Sequence, residues 1–488
     1  MGILNSFNEM TTIAYDPLGR EQVKVLGNGV QVSHSYDPAG REVMLAQFGP
    51  AGAALAMYSA VYDNVGNRTG VVELDGTLVT YGYDASNQLA LEERSGVNAY
   101  AVSYSYDGAG NRTLEGDSGQ FTAYAYGAAN ELVLITPPSG QPTTISYDAN
   151  GNQDLENAGG QLTSYVWDFE NRLTGVAYPV GTIGTYAYSA DGMRQKEVTT
   201  DGEADFVWDG VNVLLEADAA GSTQADYTDY PGMWGGLVSE RRSGASSYYG
   251  TDLQASVRML LSGAAAVTDQ YLYRAFGDEV SSSGSTTNPY QYVGAYGYYL
   301  DAETGLMLLT LRYYDAEVGR FVTRDPIGFR GGDWNVYGYV FSNPVSDIDP
   351  GGLSPVAEPP TIPQLVEEGR QAIETAVGTG FRIGGNILGK VVGGVAALIV
   401  ADLISPTCTS DGDPKQLECE NRVGACQKQC SDIYNKNKGR RRYLGGLWII
   451  CCSSWCSINY WPCMGHGTAP SWGCKSKNRR ETSLKPTF

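Results

Sequence analysis

The sequence predicts a mainly β protein, and three observations carry that prediction. A Tyr-Asp pair recurs roughly every 20 to 26 residues, a Gly-Asn-Arg-like turn usually follows it, and the segments between alternate in polarity. Copies stand at Tyr15-Asp16, Tyr36-Asp37, Tyr62-Asp63, Tyr83-Asp84, Tyr106-Asp107 and Tyr147-Asp148. Degenerate copies follow at Trp167-Asp168, Tyr188 with Asp191-Gly192, and Trp208-Asp209. Such a period marks an array whose small units bury their apolar faces only by stacking on neighbours.

Residues 99–123 illustrate one unit. Small or polar residues alternate with Tyr and Val up to Tyr106, the period of a strand with two unlike faces. Asp107 to Asn111 then supplies a reversal. The Asp carboxylate bonds amides two residues on, and Gly110 and Asn111 both tolerate positive φ. A second short strand leads to a Gly/Asp/Ser-rich turn. No segment before residue 354 has the pattern of an amphipathic helix. Each Tyr-Asp pair therefore reads first as structure, with Tyr packing against neighbouring repeats and Asp capping a turn. The chain has 34 Tyr against 11 Phe. That excess suits a surface wet on one side, because a phenol hydroxyl needs a partner. Tyrosines left exposed are the alternative, as a carbohydrate or cell-surface contact.

Charge divides the chain sharply. Of 33 Lys and Arg and 54 Asp and Glu, residues 354–488 hold 16 and 11, leaving 17 against 43 in residues 1–353. An acidic body argues against nucleic-acid binding there and confines that role to the tail. All nine cysteines also lie in the tail: Cys408, Cys419, Cys426, Cys430, Cys451, Cys452, Cys456, Cys463 and Cys474. Such density points to disulfides or a metal site such as zinc, with disulfides favoured because the spacing matches no zinc-finger pattern. The N-terminus shows no secretory signal pattern, and the chain enters a repeat within fifteen residues, as an N-terminally shortened array would.

Residues 290–353 form a denser block. It includes Tyr313-Tyr314-Asp315, then Gly319-Arg320-Phe321, Arg324-Asp325-Pro326-Ile327-Gly328, Asn343-Pro344 and Asp349-Pro350-Gly351-Gly352-Leu353. In that order these motifs closely resemble the Rhs repeat-associated core domain, and the upstream copies resemble the YD repeats of the same family. Relatives include the C subunits of insecticidal Tc toxins, with teneurins more distant. The resemblance covers residues 10–353.

It implies a strip of β-hairpins that spirals into a shell, a core domain that plugs one end, and a cut after the Asp-Pro-x-Gly-Leu motif. On this sequence the cut bond is Leu353–Ser354, and the family pattern points to Asp325 and Asp349 as the cutting pair. Two nearby carboxylates suit hydrolysis without a cofactor, because like charges keep one of them protonated. Arg324, beside Asp325, is expected to orient a carboxylate or polarise the scissile carbonyl. The resemblance also implies bacterial competition by a secreted or cell-surface toxin. Its own C-terminal segment is the cargo, and its expected partners are a secretion apparatus, a shell-closing protein and an immunity protein. About ten repeats are fewer than such shells generally use, which is why a closing partner is expected.

The expected organisation is thus 1–289 repeats, 290–353 core, 354–405 a Pro-rich linker with an apolar Gly-rich helix, and 406–488 a Cys-rich basic effector domain of unidentified activity. Val391 to Ala401, the longest uncharged run of the apolar stretch, is short of the ~20 residues that cross a bilayer, so a packed soluble helix is expected over a membrane-inserted one. The alternative reading is a surface adhesion or carbohydrate-binding repeat protein with a disulfide-rich tail.

Overall fold

The computed structural model describes residues 1–357, apart from 182, 231–233 and 235. The expected apolar Gly-rich helix and the Cys-rich basic domain of 406–488, with its nine cysteines, lie outside the described residues. Among the described residues, 27 strands between Gly2 and Ser283 form one sheet, each pairing antiparallel with the next in sequence. The described helical elements are three short 3-10 turns, Gly294–Tyr296, Gly328–Gly331 and Val340–Ser342. The fold is mainly β.

Each repeat follows from local chemistry. In the strand Tyr100–Tyr106, Val102 and Tyr104 are buried while Ala101, Ser103 and Ser105 face out. The register slips by one residue at Tyr106, a bulge that re-aims its side chain. The Tyr106 hydroxyl then donates to the Leu89 carbonyl of the preceding hairpin at 2.7 Å. Tyr36, Tyr62, Tyr83 and Tyr126 make the same bond to Glu21, Glu42, Arg68 and Arg112. Trp167 and Trp208 use their indole N–H on Gln153 and Arg194. The phenol's partner is therefore the backbone of the previous unit, which ties successive hairpins together.

The Asp caps the turn. Asp107 Oδ1 accepts from the amides of Ala109 and Asn111, and Oδ2 accepts from the Asn111 side chain. Gly110 takes the left-handed conformation at φ +78°. Asn111, expected to share that role, does not. Its side chain instead bonds Asp107 and Asn130, and the equivalent left-handed positions elsewhere are Asn87, Asn130 and Asn171. Asparagine amides thereby link neighbouring turns along one edge of the sheet, at Asn67–Asn87, Asn111–Asn130 and Asn152–Asn171.

The ribbon curls back on itself. Asn5 meets Thr228, Gln47 meets Thr251, Arg258 pairs with Glu73, and Arg274 pairs with Asp117. Residues 290–353 pack into this curl around an aromatic core. The rings of Tyr314 and Tyr339 lie 4.3 Å apart, tilted by 39°, between Tyr298 and Phe321. The same residues dock on the asparagine edge. Asn335 donates to Asn111 at 2.8 Å, Asn343 to Asn67 at 3.1 Å, and the Tyr337 hydroxyl to the Gly151 carbonyl at 2.8 Å. That docking fixes the segments on which the candidate site is built.

Candidate active site

Three segments converge. Met307–Leu309 and Arg312–Asp315 form a tight hairpin, and its turn residue Thr310 takes φ +51° and donates to the Pro350 carbonyl at 2.9 Å. This turn presses against the Asp349–Gly352 loop. Gly352 sits at φ +63°, and a Cβ there would lie 2.6 Å from the Leu309 carbonyl oxygen. Only glycine suits that position. The third segment carries Asp325, whose Oδ1 caps the following turn by accepting from the Ile327 amide at 2.8 Å.

Arg312 joins the two aspartates. Its Nη2 stands 3.4 Å from Asp325 Oδ2 and 3.3 Å from Asp349 Oδ2, and its Nε donates to the Gly352 carbonyl. All three side chains are buried or nearly so, Arg312 being 4% exposed. Burial lifts both carboxyls above the usual range, with the Arg312 charge opposing, and Asp325 adds a further upward push on Asp349. Burial also lowers Arg312, against the pull of the two carboxylates. One guanidinium thus faces two buried carboxyls, whose titrations are linked through it and through each other.

The Leu353–Ser354 peptide lies within this group. Asp349 Oδ1 accepts from the Leu353 amide at 2.9 Å and from the Ser354 amide at 3.1 Å. On the carbonyl side, Gly331 provides the floor. A Cβ on it would come 2.6 Å from Asp325 Oδ2 and 2.7 Å from the Leu353 carbonyl oxygen. Those oxygens are therefore no farther apart than the two lengths laid end to end. One carboxyl faces the carbonyl side of the peptide and the other bonds its nitrogen side.

Residues 230–345 match the Teneurin YD-shell family model. A tRNA3(Ser)-specific nuclease WapA of Bacillus spizizenii is 33% identical over 148 residues, 29% of this chain and 6% of that protein. The double-stranded DNA deaminase toxin A of Burkholderia cenocepacia is 45% identical over 73 residues, 15% of this chain and 5% of that protein. A probable deoxyribonuclease RhsA of Dickeya dadantii is 52% identical over 54 residues, 11% and 4%. These matches support a likeness to Rhs/YD-repeat proteins. The matched segments span only a small part of these relatives. Among solved structures, the TcdB2-TccC3-Cdc42 crystal structure aligns over 70% of this chain and 21% of its own, with TM-score 0.40 and 17% identity.

Of the residues expected at the site, Asp325, Asp349, Leu353 and Ser354 come together. Arg324 does not join them. It is 42% exposed at its side chain and bonds Glu131 at 2.7 Å and the Tyr337 hydroxyl at 3.1 Å. Arg312 stands where Arg324 was expected. Asp333 is a further carboxyl nearby, raised first by burial, with Asp325 pushing in the same direction and Arg312 against. Neither Arg312 nor Asp333 has a signal in the sequence beyond its residue type. No metal-binding cluster of His, Cys, Asp and Glu occurs among the described residues.

Proposed function

We propose that this chain is the shell and self-cutting core of a polymorphic toxin, and that Asp325 and Asp349 hydrolyse the Leu353–Ser354 bond. One observation carries the reading: an arginine-bridged pair of buried carboxyls flanks that single peptide bond. The toxin assignment draws on the nuclease and deaminase relatives and on the likeness to Rhs/YD-repeat proteins. Residues 354–488 are the proposed cargo and effector, and the protein is proposed to act outside its cell or at its surface.

The chemistry follows from the positions. Protonated Asp325 polarises the Leu353 carbonyl and gives its proton to the developing oxyanion. Ionised Asp349 takes a proton from the attacking water, whose oxygen bonds to the Leu353 carbon. Asp349 then passes that proton to the Ser354 nitrogen, which it already faces, and the C–N bond breaks. Asp325 recovers its proton as the tetrahedral centre collapses. Arg312 holds the Gly352 carbonyl and keeps both carboxyls in register. The products are a Leu353 carboxylate and a Ser354 ammonium. Intact-mass measurement of the purified protein tests this: two species divided at Leu353–Ser354 support it, and a persistent single chain refutes it.

A further inference from the structure

The segment that opens the core block is wound so that one side chain reaches the cutting loop. Val293, fully buried, takes φ +46°, a left-handed conformation that is costly for a β-branched residue, and Gly297 takes φ +85°. The Val293 amide donates to the Ser256 hydroxyl at 3.0 Å, which holds this turn in place. Tyr298 follows directly. It is buried, and its ring lies edge-on between those of Tyr292 and Tyr339. Tyr292 in turn donates to the Ala275 carbonyl of the repeat sheet at 2.7 Å.

We propose that Tyr298 is a positioning residue for the cut: resting on cleavage at Leu353–Ser354, its hydroxyl holds the Asp349 backbone so that the carboxylate faces both Ser354 and Arg312. The Asp349 amide donates to the Tyr298 hydroxyl at 2.8 Å, and that hydroxyl shares a second hydrogen bond with Tyr339 at 2.9 Å. Asp349 is buried, so its amide needs a partner within the protein. Its carbonyl accepts from Gly352, and its carboxylate oxygens meet Leu353, Ser354 and Arg312, all inside the cutting group. Tyr298 supplies the anchor from outside that group. Without the hydroxyl, the buried N–H turns toward another acceptor and the carboxylate turns with it. A misplacement of about 1 Å costs about 100-fold in rate.

The test is self-cleavage of full-length protein refolded from urea, quenched at intervals and read by mass. Tyr298→Phe keeps the ring and removes the acceptor, so it should cut about 100-fold more slowly than wild type. Tyr314→Phe is the matched control, because Tyr314 is buried in the same cluster and its hydroxyl donates to the Phe276 carbonyl at 2.6 Å instead. It should cut at the wild-type rate. A displaced Asp349 also ionises among differently placed charges, so the acid limb of the rate–pH curve should move in Tyr298→Phe and stay fixed in Tyr314→Phe. Three results overturn the assignment and leave the cleavage reading standing: Tyr298→Phe cut like wild type, equal slowing in both variants, or a slower rate with an unmoved acid limb. A wild type that is never cut refutes both proposals together. Should Tyr298→Phe fail to fold, hydrogen exchange in the Asp325→Asn chain decides: slow exchange at the Asp349 amide supports the bond, and free exchange contradicts it.

Discussion

Asp349 Oδ1 stands 3.1 Å from the amide nitrogen of Ser354, across the bond from the carbonyl that Asp325 approaches over Gly331. The two carboxyls thus divide the peptide between them. In the proposed mechanism Asp349 serves the leaving nitrogen and Asp325 the carbonyl, which makes their roles separable.

Replacing either acid by its amide should stop cutting and leave the fold intact. Asparagine keeps the size and the hydrogen-bond acceptor but cannot carry the proton. General acid–base groups contribute about 10²–10⁴-fold in rate, so Asp325→Asn and Asp349→Asn should each remain one chain over days. Mass and circular dichroism together check this.

Arg312 should be more costly to lose than either aspartate. Its removal strands two buried carboxyls, and breaking a buried pair costs about 3–5 kcal/mol. Arg312→Ala should lose cleavage and lower stability by that amount in urea titration. Arg324→Ala, which removes a partly exposed ion pair and a bond to the Tyr337 hydroxyl, should cut at the wild-type rate.

Gly331→Ala should abolish cleavage by pushing Asp325 off the scissile carbonyl. Gly338 offers a matched control, because a Cβ there would also meet a carboxylate, Asp333 Oδ2 at 2.6 Å, but not Leu353. Gly338→Ala should still be cut. If both variants are cut, or neither is, the floor assigned to Gly331 is wrong.

The protein should lose stability as pH rises from 5 to 9. Burial pushes Glu92, Glu240, Asp278 and Asp315 up to about 7, and Asp229 to about 8. Each keeps its proton in the fold after the unfolded chain has released it, so the folded state binds more protons and stability falls until the folded values are passed. Burial pulls His34 down, but hydrogen bonds with Glu21 and Glu42 outweigh it and lift it to about 9. Its contribution is whole below about 6.5 and is lost through pH 9. Melting temperature against pH, in one buffer series, reads the combined slope.

The repeats were legible in the sequence because their chemistry is local. Tyr106, Asp107 and Gly110 are within one turn, and strand alternation and Asp capping need no distant partner. The repeat at Tyr126 escaped notice because Gly127 replaces its aspartate, although its hydroxyl still bonds Arg112. Asp325 and Asp349 came from a motif rather than from physics, since a turn explains each Asp-Pro equally well. Arg312 could not be read at all. It lies 37 residues from Asp349 in the chain, and tertiary contacts such as the Thr310–Pro350 hydrogen bond close that distance.

The most direct measurement is the mass and N-terminal sequence of freshly purified full-length protein, beside its Asp325→Asn variant. The account predicts two wild-type fragments, with a new terminus at Ser354, and one uncut variant chain. A wild type that stays whole, a new terminus elsewhere, or a variant that is cut like wild type would contradict it.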